Sequence, residues 1–132
     1  MAYRIFLVDD DKFLLDLYAV KFKNAGHEVE TYNSGDELLT ALRKADLKAP
    51  DAVLLDVIMP GTDGFETLAA VRKDKLAPST KFIMLSNQGQ DADIEKARSL
   101  GAAGYIVKAS AIPSEVLAET ARIVEGTGTP PA

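Results

Sequence analysis

Ala52-Val53-Leu54-Leu55-Asp56 is an uninterrupted apolar run that ends in a carboxylate. Four apolar residues in a row suit a strand whose two faces are both covered, as in the interior of a parallel sheet. A few residues later, Asp63-Gly64-Phe65-Glu66 places a helix-capping aspartate three residues before another acidic side chain. This stretch therefore predicts a buried strand, a loop and the start of a helix.

The same pattern recurs along the chain. Apolar runs with strand character start near residues 4, 28, 52, 81 and 104, and each is followed by a segment long enough for a helix. Such βα repetition implies parallel strands joined by right-handed crossovers. The alternating, charged run over residues 28–32 suits an edge strand, and the short fifth run suits the other edge. We therefore predict a single flavodoxin-like (βα)5 domain of the α/β class, with a parallel five-stranded sheet of order 2-1-3-4-5 and helices on both faces.

Helix signals mark the segments between the strands. The first helix is predicted over residues 13–25, with Gly26 as its left-handed stop. Ser34-Gly35-Asp36-Glu37 has the pattern of a capping box, Asp91 is a predicted cap of the fourth helix, and Pro113 fits the first turn of the fifth. The predicted apolar stripe of the first helix consists of Leu14, Leu17, Tyr18, Phe22 and Ala25.

Composition narrows the classes of function. The 132 residues are 47% apolar, which fits one domain with its own core. There is no cysteine, so disulfides, thiolate metal sites and cysteine nucleophiles are excluded. A net charge of -5 argues against direct nucleic-acid binding by this domain. No apolar run approaches the roughly 18 residues of a membrane span. We expect a cytoplasmic domain over residues 1–125, followed by a flexible tail or truncated linker over residues 126–132.

Polar side chains follow four of the five predicted strands. Asp9-Asp10-Asp11 follows the first, Asp56 the third, Ser86-Asn87 the fourth and Lys108 the fifth. Strands one and three flank the topological switch point, so their carboxylates should converge there. Asp11 is better explained as a helix cap. Close carboxylates repel one another unless a cation lies among them, and an all-oxygen donor set without histidine or cysteine suits Mg²⁺.

The same residues suggest phosphoryl chemistry. Asp56, attached to a rigid buried strand, can attack phosphorus and form an aspartyl phosphate. Lys108 would balance the charge of the phosphoryl oxygens, and the Ser86 hydroxyl could donate a hydrogen bond to one of them. Phosphoryl transfer needs little beyond such positioning and charge neutralisation.

At this point the motifs resemble a known family. Over residues 3–125 the chain resembles the receiver domains of two-component response regulators. Four stretches carry the resemblance: Leu7-Val8-Asp9-Asp10, residues 51–64 (DAVLLDVIMPGTDG), Met84-Leu85-Ser86 and residues 101–108 (GAAGYIVK).

The resemblance implies a metal and phosphoryl site. Asp56 would accept a phosphoryl group from a histidine kinase or phosphotransfer protein. Asp10 would bind Mg²⁺ directly and Asp9 largely through water. Asp56 and the backbone carbonyl of Ile58 would complete the ligands, and Lys108 would contact the phosphoryl group.

The resemblance also implies a switch. Ser86 would contact the phosphoryl group and form a switch pair with Tyr105, remodelling the face built from helix four, strand five and helix five. Such a domain acts on a downstream protein target or on an output domain missing here, and phosphorylation could drive a dimer. We expect no enzyme activity beyond its own phosphorylation and dephosphorylation.

Two departures from the family pattern bear on the site. Proline, usually after a cis peptide, commonly follows the active-site lysine, whereas Ala109 follows Lys108 here. Because a cis bond without proline is costly, we predict a trans Lys108–Ala109 peptide and a re-routed loop. Asn87 stands where a small residue is common, so it bears on the access of donor and water. Ile58 and Gln88 occupy positions that typically tune dephosphorylation.

Two alternatives remain open from the sequence. The acid-x-acid spacing in Asp9-Asp10-Asp11 is that of Mg²⁺-dependent phosphatases of the haloacid dehalogenase type, with Asp9 as the phosphorylated residue. The phosphatase hypothesis leaves Asp56 without a role. The other alternative is a receiver-like binding module that does not use phosphate.

Overall fold

The computed structural model describes residues 2–87, 89–108 and 112–126. Strands and helices alternate in the order β1 (Arg4–Val8), α1 (Lys12–Asn24), β2 (Glu28–Tyr32), α2 (Gly35–Leu42), β3 (Ala52–Asp56), α3 (Gly64–Lys73), β4 (Lys81–Ser86), α4 (Asp91–Ser99), β5 (Gly104–Val107) and α5 (Pro113–Val124). The five strands form one parallel sheet of order β2-β1-β3-β4-β5. The predicted fold class, strand order and strand starts are confirmed.

Hydrophobic cores lie on both faces of the sheet, because successive strand residues point to opposite faces. All five residues of β3 are buried, as expected for a strand covered on both sides. The core under α1 and α5 includes Ile5, Leu7, Tyr18, Leu54, Ile106 and Val116. The core under α2, α3 and α4 includes Phe6, Val8, Leu38, Leu68, Met84 and Ala97.

The predicted apolar stripe of α1 was partly wrong. The buried residues are Leu15, Tyr18, Ala19 and Phe22, whereas Leu17 is 44% exposed and Ala25 is also exposed. The helix carries apolar side chains on more than one side, so periodicity alone did not identify the side that packs on the sheet. The consequence is an apolar surface on α1 that faces away from the core.

The caps of three helices follow the sequence signals. Asp11 accepts a hydrogen bond from the Leu14 amide at 3.2 Å, which confirms its role as the cap of α1. Asp63 and Glu66 form a reciprocal capping box at 2.8 and 3.0 Å. The Ser34 hydroxyl accepts from the Glu37 amide at 3.1 Å. These bonds satisfy amides that a helix leaves without partners in its first turn.

Two cap predictions need correction. In a capping box the Glu37 carboxylate would accept a hydrogen bond from the backbone amide of Ser34. It accepts instead from the Asn33 amide, at 3.2 Å, so α2 has the serine cap without the reciprocal bond. Gln90 is the N-cap of α4, and Asp91 is its first helical residue. The Asp91 carboxylate still lies in the first turn, where the helix dipole favours negative charge.

Several predictions fall on residues outside the described ranges. These are the Gln88 position, the Lys108–Ala109 peptide and the tail beyond Gly126. Within the described ranges, no helix is both long enough and apolar enough to cross a membrane.

Candidate phosphoacceptor site

Three carboxylates meet at the carboxyl end of β1 and β3. The register pairs Val8 with Leu55, so the residues that follow, Asp9 and Asp56, lie side by side at the switch point. Carboxylate oxygens of Asp9, Asp10 and Asp56 all lie within 4.8 Å of one another. Asp9 is 2% exposed and Asp56 6%, whereas Asp10 faces solvent. The predicted convergence is confirmed, and the donor set is one that a hard divalent cation fits.

The Lys108 ammonium joins the two buried carboxylates. Its Nζ lies 2.9 Å from Asp9 Oδ2 and 3.0 Å from Asp56 Oδ1. The second oxygen of Asp9 accepts the Asp11 amide at 2.9 Å, which fixes the orientation of that carboxylate. One ammonium shared by two buried carboxylates leaves an excess of negative charge.

The environment shifts two pKa values in the site. Burial raises the pKa of Asp56 to about 6, although the Lys108 hydrogen bond lowers it, and Asp9 and Asp10 raise it further. Burial by itself lowers the pKa of Lys108, but its hydrogen bonds to Asp9 and Asp56 outweigh that effect and the net pKa is raised. Lys108 therefore stays charged at neutral pH, while the charge on Asp56 is costly until a cation joins it.

The start of α3 packs directly on the backbone that carries Asp56. A Cβ on Gly64 would lie 2.3 Å from the Asp56 carbonyl oxygen and 2.9 Å from Val57 Cα. The Gly64 amide also donates to the Val57 carbonyl at 2.8 Å. Only glycine permits this approach, so Gly64 helps to fix the phosphoacceptor position. The sequence analysis treated it only as part of a motif, because contact distance is not visible in residue spacing.

Ser86 and Tyr105 are in contact on the α4 side of the site. Ser86 ends β4 and is 3% exposed. Burial raises the pKa of the Tyr105 phenol, and a hydrogen bond with Ser86 lowers it. The Tyr105 ring packs against the core under α2, α3 and α4. The two residues predicted as a switch pair are thus hydrogen-bonded to each other.

A cavity opens beside Ser86, between the β3–α3 loop and α4. Its volume is about 450 Å³, and its lining includes Met59, Phe65, Asp93 and Lys96. Ile58, at the same rim, is 70% exposed, and Asn87 is also exposed. Both side chains are therefore accessible from solvent, and their effect on the access of donor and water stays a prediction.

Comparison with known proteins identifies the family. Residues 5–120 match the family model of the response regulator receiver domain. The chain belongs to this family. It is 32% identical over 124 residues to the alkaline phosphatase synthesis transcriptional regulatory protein PhoP of Bacillus subtilis, a match that covers 94% of this chain and 49% of PhoP. The chain thus spans about half the length of that curated relative.

Two solved structures support the same conclusion. The BeF3-activated receiver domain of DrrB, from Thermotoga maritima, superposes with a TM-score of 0.77 at 30% identity and covers 95% of this chain and 99% of that one. The phosphorylated cyanobacterial phytochrome response regulator RcpA gives a TM-score of 0.82 at 30% identity over 100% of both chains. The protein is therefore a receiver domain of the two-component type. The phosphatase and the phosphate-independent module are not favoured.

Proposed function

We propose that Asp56 accepts a phosphoryl group from a histidine kinase or phosphotransfer protein in the presence of Mg²⁺. The observation that carries this proposal is the meeting of Asp9, Asp10 and Asp56 within 4.8 Å, with Lys108 bonded to both buried carboxylates. The three carboxylates would hold the ion together with the backbone carbonyl of Ile58. An all-oxygen donor set suits Mg²⁺ better than softer metals.

Asp56 supplies the nucleophile of the proposed transfer. An oxygen of the ionised carboxylate attacks the phosphorus of a phosphohistidine, the O–P bond forms as the P–N bond breaks, and the imidazole leaves with the electron pair. Mg²⁺, when bound by these carboxylates, would supply charge neutralisation and orient the phosphoryl oxygens. Lys108, 3.0 Å from Asp56 Oδ1, needs only a small shift to reach a phosphoryl oxygen.

The switch begins at Ser86. Its hydroxyl turns toward the phosphoryl oxygen and gives up its bond to Tyr105. The Tyr105 ring then rearranges on the face formed by α4, β5 and α5. A new charge at one site thereby alters a surface that a partner can read.

The donor is a protein in this proposal, because an apolar surface lies beside the site. Phe13, Leu17 and Val20 are 77%, 44% and 58% exposed and lie on one side of α1 at helical spacing. Ile112, just before α5, is 61% exposed. We call the three α1 side chains the α1 apolar face. A helix that carries a phosphohistidine could pack along it and reach Asp56.

The remaining roles are part of the same proposal. The domain acts in the cytoplasm, without a membrane, on a downstream protein or an output domain, and it does not itself bind nucleic acid. It accepts phosphate without acting as an enzyme on other molecules. Phosphorylation also favours a dimer.

Intact-mass measurement tests the phosphoacceptor. The protein is incubated with Mg²⁺ and acetyl phosphate, alongside Asp56→Asn and Asp9→Asn. We expect one phosphoryl group on the wild type and none on Asp56→Asn. Phosphorylation of Asp56→Asn with loss in Asp9→Asn would instead support the phosphatase mechanism. No gain on any variant, with a second receiver domain phosphorylated in the same mixture, would refute transfer from this donor, and a histidine-phosphorylated protein would then be the donor to try.

A further inference from the structure

Helix α4 is packed unevenly against the rest of the domain. Of its nine residues, all of which the structure describes, Ala97 alone is buried, whereas α3 buries residues along its length, from Phe65 to Val71. The first turns of α4 are exposed or half-buried, and Asp93 borders the cavity beside Ser86. Little apolar burial therefore restrains the N-terminal half of α4, and the cavity leaves it room to move.

The C-terminal end of α4 is bound by Arg72 of α3. Arg72 Nε donates to the Leu100 carbonyl at 3.0 Å, and Nη2 donates to the Gly101 carbonyl at 2.8 Å. These carbonyls lie at the negative end of the helix, where acceptors lack partners within the helix and a cation is favoured. Because the donor is charged and forked, its bonds are strong and directional. Arg72 therefore restrains both the position and the direction of this helix end.

The core fixes Arg72 itself. Its guanidinium carbon lies 5.4 Å from the centre of the Phe82 ring on β4, and that ring is fully buried. Gly101 has a left-handed backbone, with φ +79°, and a Cβ there would lie 3.2 Å from both Nε and Nη2 of Arg72. The Ala103 amide donates to the Phe82 carbonyl at 2.7 Å. The end of α4, the last turn of α3 and β4 are thus joined to one another.

A second cation contact, at the middle of α4, is weaker. Lys96 Nζ lies 4.9 Å from the centre of the Phe65 ring on α3. Lys96 is exposed and lines the same cavity, and cation–π contacts at exposed sites are weak. The attachment of α4 to α3 therefore becomes stronger from the middle of the helix to its C-terminal end.

We propose that Arg72 is the fixed pivot of the switch. It anchors the C-terminal end of α4, so that phosphorylation moves the N-terminal half of the helix, which lies next to Ser86 and the cavity. The trigger of this movement rests on the proposed function of Asp56. An anchored end also keeps the α4–β5 loop in place, so the Tyr105 side chain can rearrange while β5 stays paired with β4.

Hydrogen exchange in the unphosphorylated protein tests the anchor. The amides of residues 93, 94 and 100–102 all donate to backbone carbonyls, so their exchange reports opening of those bonds. In the wild type, residues 100–102 should exchange about tenfold or more slowly than residues 93 and 94, because two charge-assisted bonds restrain that end. Arg72→Met retains an apolar stem near Phe82 and should abolish most of this difference. Arg43→Met, which removes an exposed ion pair with Asp74, is the matched control and should leave α4 unchanged.

The amides of β3 separate anchoring from general stability. All five residues of β3 are buried, so its amides exchange mainly through global unfolding. In Arg72→Met, exchange should therefore rise more at residues 100–102 than at β3. An equal rise at both places, or no rise at residues 100–102, would overturn the anchor.

Distances in the phosphorylated protein test the pivot. Because the chain has no cysteine, a spin label at Ala92→Cys or Ser99→Cys can be paired with one at Thr40→Cys on α2, and all three positions are exposed. Phosphorylation by acetyl phosphate with Mg²⁺ should change the distance from residue 92 by a few ångströms and leave the distance from residue 99 unchanged. In Arg72→Met both distances should change.

Intact mass on the same samples distinguishes failure of this inference from failure of the proposed function. A protein that takes no phosphoryl group, but loses protection at residues 100–102 in Arg72→Met, would sustain the anchor and refute only the proposed function. A phosphorylated wild type in which residue 99 moves as far as residue 92 would overturn the pivot and leave the proposed function intact.

Discussion

Replacement of Asp56 by asparagine should stabilise the metal-free protein at neutral pH. The Asp56 carboxylate is buried among other acidic groups, and one ammonium is shared between it and Asp9. Burial is the main cause that raises its pKa from 3.8 to about 6. Asparagine has nearly the same shape and carries no charge, so it removes the cost of burying a charge next to Asp9 and Asp10 while it can still accept a hydrogen bond from Lys108.

The pKa shift sets the size and the pH window of the effect. A shift of about two units corresponds to roughly 3 kcal/mol at 1.36 kcal/mol per unit. The folded pKa lies above the unfolded one, so ionisation of Asp56 costs stability as pH rises from about 4 through about 6. Asp56→Asn should therefore gain up to roughly 3 kcal/mol at pH 7.5. The gain should shrink as pH falls toward 4, where the wild-type carboxyl is itself neutral.

Chemical denaturation in EDTA at several pH values measures this gain. Asp46→Asn, which changes an exposed aspartate, is the control and should change stability by less than about 0.5 kcal/mol at every pH. Addition of Mg²⁺ should stabilise the wild type more than Asp56→Asn, because the ion binds the charged carboxylate. Equal or lower stability of Asp56→Asn at pH 7.5 in EDTA would refute the electrostatic account of the site.

Three further predictions concern other parts of the fold. Gly64→Ala places a Cβ against the Asp56 carbonyl, so it should cost about 1–3 kcal/mol in denaturation and slow phosphorylation; an unchanged rate would contradict the contact. Leu17→Asp, on the α1 apolar face, should leave phosphorylation by acetyl phosphate intact but reduce transfer from a histidine-phosphorylated donor about tenfold or more. An equal loss with both donors would argue against docking of the donor protein on that face. His27 accepts the Tyr3 amide through Nδ1 at 3.0 Å and burial lowers its pKa, so its NMR titration midpoint should lie below 6.5. The free energy of unfolding of the wild type should therefore fall as pH drops below about 6.5, and it should fall less in His27→Asn. A titration midpoint above 6.5 would show that the fold favours the charged ring.

The strand ends were predictable from sequence because topology places them. Once βα repetition gives a parallel sheet of order 2-1-3-4-5, the residues after each strand must share one edge. Asp9, Asp56 and Lys108 could therefore be grouped without coordinates, and the structure confirms that Lys108 lies within 3.0 Å of both carboxylates. The strand order and the direction of the strands together fix where the residue after each strand lies.

The rotation of α1 and the close contact at Gly64 were not predictable in the same way. Several sides of α1 carry apolar residues, so the side that packs on the sheet depends on how the helix fits the strands below it. That rotation decides both that Tyr18 is buried and that Leu17 stays at the surface. The Gly64 contact depends on a separation between backbones, which residue spacing does not encode.

The charges in the site also indicate the order in which it is loaded. Three carboxylates outweigh one ammonium, so a phosphoryl group that arrived first would add negative charge to a cluster that already disfavours the ionised form of Asp56. A divalent cation held by Asp9, Asp10 and Asp56 would balance this excess, and Asp56 could then attack as the carboxylate. Binding of the metal and of the phosphoryl group must then be cooperative. Because such coupling is reciprocal, the phosphorylated domain should bind Mg²⁺ more tightly than the unphosphorylated one. The cost of ionising Asp56, roughly 3 kcal/mol and due mainly to its burial, is of the size that shifts a two-state equilibrium by about a hundredfold. In the proposed switch, relief of this cost would require the ion as well as the phosphoryl group, because the phosphoryl group alone adds negative charge to the cluster.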